Sequence, residues 1–148
     1  MSFLNSMNIS ASALSATRLR MDVIAENIAN MNTTRTQTGE PYRRRYVVFQ
    51  EMPNERTPRS FSNFFDRSLQ NAQGGVRVVE IGTDMREFKV DYNPGHPDAD
   101  ENGYVRMPNV EVVQEMVDMM AAFRAYEANI TALNAMKDMV TRTLEIGR

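Results

Sequence analysis

Residues 110–148 read VEVVQEMVDMMAAFRAYEANITALNAMKDMVTRTLEIGR, and this stretch decides the fold of the chain. Large apolar residues recur in it at alternating spacings of four and three positions. A period near 3.5 places them along one side of a helix, as in coiled coils. The pattern predicts one helix about 55 Å long, which needs another surface to pack against. The apolar members of this C-terminal seam, interrupted by Lys137, are Val112, Met116, Met119, Phe123, Tyr126, Ile130, Leu133, Val140 and Leu144.

The same helix carries a second face of small residues. Its members repeat with the same spacing, and each lies two positions from a seam residue, so a rotation of about 200° puts them on the opposite side. Alanine on a solvated face costs nothing, because alanine is the best helix former. We expect instead that the small side chains let a helix of a neighbouring subunit approach closely. This alanine face comprises Ala121, Ala125, Ala128, Ala132 and Ala135.

A matching pattern at the other end of the chain predicts a second long helix, from Leu4 to about Asn30. Glycine and proline are absent before Gly39, so nothing interrupts it. Arg18 and Lys137 lie within the two seams, so we expect the isolated pair to be marginal and to become ordered when neighbouring subunits bury it. The N-terminal seam consists of Met7, Leu14, Met21 and Ile28, with Ala11, Arg18 and Ala25 between them.

Composition limits the remaining classes of protein. The chain has 148 residues, enough for one ordinary domain, and a net charge of −2, which makes nucleic acid a poor partner. Cysteine is absent, so disulfides and thiolate metal sites are excluded. No window approaches about 18 apolar residues, so we expect no direct membrane insertion. The N-terminal stretch lacks the features of a secretory signal, so we expect export, if any, without a cleaved signal peptide.

The middle of the chain predicts a small antiparallel β region. Short runs of β-branched and aromatic residues, bounded by glycine and proline, predict strands at 45–50, 76–81, 85–92 and 104–107. Residues 53–71 have no clear period and predict a loop, with a short helix possible at 62–70. We therefore expect a mainly α protein with a β insert: an N-terminal helix in 1–32, the insert in 33–108 and a C-terminal helix in 109–148, the two helices forming a coiled-coil-like pair.

Motifs that would carry chemistry are weak. His96 is the only histidine, in a proline-rich stretch that predicts a rigid turn. Residues 98–105 match part of a calcium-binding EF-hand loop, but Asn109 stands where a bidentate glutamate is needed, which favours a turn through Asn102 and Gly103. Arg43, Arg44 and Arg45 are too few for a nucleic-acid site, and we expect them to reach carboxylates of a neighbouring subunit. We predict no catalytic residues, cofactor or metal.

Several longer motifs resemble the axial proteins of the bacterial flagellar rod and hook, and most closely those of the proximal rod. Ala29, Asn30 and Thr33 match the Ala-Asn-x-x-Thr signature at the end of the first helix. Further matching stretches are Pro41–Arg44, Val47–Gln50, Asp91–Asp100, Gly103–Val105, Pro108–Val110, Glu115–Met119 and Arg124–Asn129.

The resemblance implies a structural subunit and not an enzyme. Such a subunit would be exported by the flagellar type III apparatus and assembled helically, together with rod proteins such as FlgB and FlgF, into the basal-body rod that crosses the periplasm and transmits torque. In the family both chain ends form an α-helical layer lining the core of the rod, as the two seams require. The alternative is a coiled-coil adaptor or calcium-responsive binding module unrelated to motility.

Overall fold

A computed structural model describes residues 3–52 and 74–147 of the chain. Along the described chain the elements are helix α1 (Phe3–Ala29), strands β1 (Arg45–Glu51), β2 (Val76–Thr83), β3 (Lys89–Tyr92) and β4 (Tyr104–Met107), and helix α2 (Val112–Ile146). The prediction of a mainly α protein with a small β insert is confirmed. The predicted loop at 53–71 and the short helix at 62–70 lie outside the described residues.

Local hydrogen bonds form at the end of α1 and at the start of α2. At the end of α1 the Asn30 side chain donates to the carbonyl of Glu26 at 2.9 Å, and the Thr33 hydroxyl donates to the Asn30 Oδ1 at 3.2 Å. The Glu26 carbonyl also accepts from the Asn30 amide at 3.1 Å, so the Asn30 side chain adds a second bond at the end of the helix. At the start of α2, Glu111 and not Asn109 stands at the cap position: the Glu111 carbonyl accepts the first helical bond, from the Glu115 amide at 2.9 Å.

The insert contains two separate two-stranded sheets. β1 pairs with β2, and backbone bonds at both ends, from Asp84 to Arg44 and from Met52 to Gly75, show that the strands run antiparallel. β3 pairs with β4 in antiparallel register, with Val90 opposite Arg106 and Tyr92 opposite Tyr104. Directly opposed residues point to the same side of a sheet, so these four side chains share one face.

A tight turn closes the β3–β4 hairpin. Gly103 has a φ of +81°, a conformation that glycine adopts without strain. The Asp100 carboxylate accepts hydrogen bonds from the amides of Asn102 and Tyr104, both at 2.9 Å. The turn interpretation of residues 98–105 is therefore confirmed, with Gly103 supplying the left-handed conformation.

The chain divides into two compact units. Of the described residues, unit 1 comprises 3–18, 49–52, 74–79 and 123–147, and unit 2 comprises 19–48 and 80–122. In unit 1 the start of β2 lies close to α1, where the amide of Val76 donates to the Ser12 hydroxyl at 3.1 Å. No described helix has an apolar stretch long enough to span a bilayer. The core of unit 2 contains buried Val23, Ile24, Tyr42, Val105, Val110 and Ala122.

Candidate functional site

A buried asparagine near the end of α1 lies at the centre of unit 2. Asn27 is 0% exposed, within a helix that otherwise buries Val23 and Ile24 on the same side. Its Oδ1 accepts from the amide of Arg45 at 2.9 Å and from the hydroxyl of Tyr42 at 3.0 Å. Its Nδ2 donates to the Arg45 carbonyl at 2.8 Å and to Glu115 Oε2 at 2.9 Å. These bonds use both acceptor positions and both donors of the amide, so burial leaves none of its polar groups unsatisfied.

The second centre of the site is a buried ion pair. Glu115, in the first turn of α2, is 0% exposed, and its Oε1 accepts from Arg44 Nε at 2.6 Å. The same guanidinium reaches Asp118 at 3.4 Å, one helical turn further on. A buried carboxylate is stable only when it is paired and hydrogen-bonded, and here Asn27 and Arg44 occupy both of its oxygens.

A second buried asparagine holds the other side of the Arg44 backbone. Asn109 lies just before α2, and its Oδ1 accepts from the amide of Arg44 at 2.8 Å. Its Nδ2 donates to the carbonyl of Asp84 at 3.0 Å and to that of Arg86 at 3.3 Å. This use of the side chain explains why Asn109 does not cap α2. Asn27 and Asn109 together fix consecutive residues at the entry to β1.

Tyr42 completes the cluster. Its ring is buried, and its hydroxyl donates to Asn27. Burial, with a smaller contribution from the carboxylate of Glu26, raises the pKa of Tyr42 to about 12, so the phenol stays protonated as a donor. We call Asn27, Tyr42, Arg44, Asn109 and Glu115 the polar cluster. Every member bonds to another part of the chain, so the cluster is arranged to hold segments together.

The arginine run has partners within its own chain. Arg44 bonds to Glu115, and Arg45 reaches Glu26 at 2.9 Å. Arg43 lies 3.7 Å from Glu40. All three arginines therefore have carboxylate partners within their own subunit, and contacts with a neighbouring subunit stay a prediction. α1 and α2 both bring acidic residues to the start of β1, which the sequence does not reveal.

Comparison with known proteins identifies the family of this chain. Two family models match: flagella basal body rod protein over residues 7–36, and flagellar basal body rod FlgEFG protein C-terminal over residues 101–146. Proteins named flagellar basal-body rod protein FlgC are 45% identical in Bacillus subtilis and 42% in Salmonella typhimurium, each covering 100% of both chains. The one from Borreliella burgdorferi is 45% identical, covering 99% of this chain and 98% of its own. The chain belongs to the FlgC family of flagellar basal-body rod proteins.

Membership of the FlgC family decides between the two functions left open by the sequence. The family is structural and not enzymatic, and its proteins are located in the flagellar basal body, where they assemble with other rod components. The adaptor or calcium-responsive alternative is thereby replaced. The two family models also cover different parts of the polar cluster: Asn27 lies in the first, and Asn109 and Glu115 lie in the second.

The seam residues of both helices are either half-buried or exposed in the subunit. In α1 all the large members of the N-terminal seam are half-buried: Met7, Leu14, Met21 and Ile28. In α2 every second seam member, together with the starting Val112, is half-buried: Met119, Tyr126, Leu133 and Val140. The intervening members are more than a third exposed: Met116, Phe123, Ile130 and Leu144.

The residues that α2 buries lie one position before those exposed members. Glu115 and Ala122 are its buried residues, and they precede Met116 and Phe123. A shift of one residue rotates the buried side by about 100°, which leaves large apolar side chains on the surface of the subunit. All members of the alanine face are exposed too: Ala121, Ala125, Ala128, Ala132 and Ala135. Of the Ala-Asn-x-x-Thr signature of the axial proteins, Ala29 is exposed, whereas Asn30 and Thr33 bond to each other at the end of α1.

The sequence does not indicate the polar cluster as a site. Glu115 and Arg44 belong to stretches that resemble rod proteins, and their spacing along the chain does not predict that they pair. One signal was available: Asn27 interrupts an apolar stripe of α1, and a polar residue there needs buried partners. The identity of those partners depends on tertiary structure, since Asn27 and Glu115 are 88 residues apart.

Proposed function

We propose that this chain is a structural subunit of the proximal part of the flagellar basal-body rod, assembled helically to transmit torque. In this role the polar cluster fixes α1, the entry to β1 and the start of α2 within each subunit. The exposed seam residues of α2 and its alanine face then bind helices of neighbouring subunits. The FlgC-family membership supports the rod, and the exposed residues support the mode of assembly.

The observation that carries the proposal is the exposure of the large seam residues of α2. Met116 is 54% exposed, Phe123 53% and Leu144 69%. Complete burial of a fully exposed side chain of this kind stabilises a protein by about 1.5–3 kcal/mol, so covering the exposed half contributes about half of that at each residue, and several such residues add up. In a polymer this stabilisation is repeated at every subunit, as a stable rod requires.

The proposal extends to partners and route. The resemblance to axial rod proteins supports contacts with further copies of this chain and with FlgB and FlgF. It also supports passage through the flagellar type III export apparatus and a final position in the part of the rod that crosses the periplasm. The absence of cysteine from the sequence is compatible with passage of an unfolded chain through a channel.

A seam variant tests the assembly. Phe123→Asp and Ile130→Asp each place a carboxylate where a neighbour should exclude water, which costs several kcal/mol on assembly and less in the free subunit, where Phe123 is 53% and Ile130 37% exposed. Asn134→Asp is the matched control, because it adds the same charge at an exposed position outside the seam. In a strain lacking the chromosomal copy, we expect both seam variants to be made at normal levels but to be absent from purified basal bodies, with loss of swimming. Normal swimming with either seam variant would contradict the proposed assembly.

A further inference from the structure

Methionine sulfurs are the groups of this chain that react most readily with peroxides, because the sequence contains twelve methionines and no cysteine. Hydrogen peroxide transfers one oxygen atom to the sulfur: the sulfur loses two electrons, the O–O bond breaks, and the second oxygen leaves as water. The thioether is apolar, whereas the sulfoxide that forms is polar. The effect of peroxide on the subunit therefore depends on which methionines are exposed and on what surrounds them.

Two exposed methionines lie one turn apart near the start of α2. Met116 is 54% exposed and Met120 is 56% exposed. Phe123, which is 53% exposed, follows them, and the spacings of four and three residues put the three side chains on one side of the helix. Met119 lies between the two in the sequence and is half-buried. We call Met116, Met120 and Phe123 the methionine side of α2.

We propose that Met116 and Met120 are sites of reversible oxidation that control assembly: in the free subunit both sulfurs react with hydrogen peroxide, and the sulfoxides prevent incorporation into the rod. The inference rests on the proposed function, in which neighbouring subunits cover the exposed seam residues of α2. It does not depend on which subunit covers the methionine side, because a sulfoxide oxygen against any apolar partner loses water and gains no donor. Methionine sulfoxide reductases restore the thioether, so the block is reversible.

Oxidation of the purified full-length chain tests the first step. After limited treatment with hydrogen peroxide, peptide mass spectrometry measures the oxygen added at each methionine. We expect Met116 and Met120 to react at least about threefold faster than Met119, because reaction follows exposure. In denaturing urea, which removes the difference in exposure, the three should react at the same rate. Equal rates in the folded chain would overturn the inference, and this result does not depend on assembly.

Leucine variants test the effect of oxidation on assembly, because leucine is similar in size and apolarity to methionine but has no sulfur. Strains lacking the chromosomal copy and the methionine sulfoxide reductases make either the wild-type chain or the double variant Met116→Leu, Met120→Leu. The dose of hydrogen peroxide is one that permits growth and oxidises both methionines in the soluble wild-type chain. Each chain is compared with its own incorporation into basal bodies without peroxide. We expect incorporation of the wild type to fall at least about fivefold, and that of the double variant to fall less than twofold.

Two results would overturn the inference: an equal fall for both chains, or no fall for the oxidised wild type. Absence of the wild-type chain from basal bodies without peroxide would instead contradict the proposed function.

Glutamine variants test the same step without peroxide, because glutamine places a polar group where the sulfoxide would be. Met85→Gln is the matched control, since Met85 is 78% exposed and lies outside α2. We expect the double variant Met116→Gln, Met120→Gln to be incorporated into basal bodies at least about fivefold less than Met85→Gln, with both soluble chains unfolding at the same urea concentration as the wild type. Equal incorporation of the two variants would overturn the inference.

Discussion

Replacement of Asn27 by alanine should reduce the stability of the free subunit far more than its size suggests. The change removes four hydrogen bonds at once, to Tyr42, to both backbone groups of Arg45 and to Glu115. Each bond contributes about 0.5–1.5 kcal/mol, and the loss is greatest where a buried carboxylate oxygen is left without a donor. Alanine regains about 0.5 kcal/mol through its higher helix propensity. We therefore expect the free energy of unfolding to fall by about 1.5–5.5 kcal/mol.

Urea denaturation followed by far-ultraviolet circular dichroism measures this loss. Asn8→Ala is the control, because Asn8 is an exposed asparagine in the same helix and its replacement should be neutral or slightly stabilising. The midpoint should shift while the slope stays the same, since the change does not alter the surface exposed on unfolding. A difference between the two variants below about 1 kcal/mol would refute the assignment of Asn27 as the centre of the polar cluster.

Three further predictions concern single side chains. Burial raises the pKa of Tyr42 to about 12, from 10.0 in the unfolded chain, so the unfolded state releases this proton first as the pH rises. The contribution of Tyr42 to the free energy of unfolding is complete below pH 10 and should fall by roughly 2–3 kcal/mol between pH 10 and pH 12. Tyr42→Phe should remove that part of the pH dependence in urea titrations. Gly39 and Gly103 share a φ of +81°, but an added Cβ meets nothing within 4 Å at Gly39 and the Tyr92 ring at 3.0 Å at Gly103. Thermal denaturation should therefore show a loss of about 1 kcal/mol for Gly39→Ala and more for Gly103→Ala, and equal losses would contradict the close contact. Ala128→Leu should block incorporation into basal bodies by overpacking worth about 1–3 kcal/mol per contact, and motile cells carrying Ala128→Lys would show that the alanine face reflects only helix propensity.

The regular elements could be predicted because their signals are local. Both long helices follow from apolar periodicity without glycine or proline, and β2 follows from β-branched residues that begin after Gly74 and Gly75. The β3 strand is shorter than the predicted 85–92, since it begins at Lys89. Residues 84–86 instead turn, where the Asp84 carboxylate accepts from the amide of Arg86 at 3.0 Å.

Which side of each helix a subunit buries could not be predicted in the same way. The apolar pattern of α2 marks Met116 and Phe123, yet the subunit buries Glu115 and Ala122. The apolar periodicity of a helix includes the sides that become covered by other subunits. Burial within one chain depends instead on partners such as Arg44 and Asn27. The sequence predicts that both terminal helices become ordered on assembly, and the polar cluster limits this prediction to the parts of the helices that lie away from it. Asn27 and Glu115 are held by contacts inside unit 2, so the parts of α1 and α2 near them have partners in the free subunit.

In the proposed rod, the hydrogen bond between Asn27 and Glu115 has a mechanical consequence. Along the backbone, force applied to α1 would reach α2 only after 88 residues, through the whole β insert. Through the polar cluster the same force passes directly between the side chains of Asn27 and Glu115, whose bonded atoms Nδ2 and Oε2 are 2.9 Å apart. The planar amide of Asn27 is bonded on both edges, so sliding α1 along α2 strains several directional bonds together. The cluster therefore joins α1, the entry to β1 and the start of α2 directly, so a force passing between the two helices need not follow the rest of the β insert.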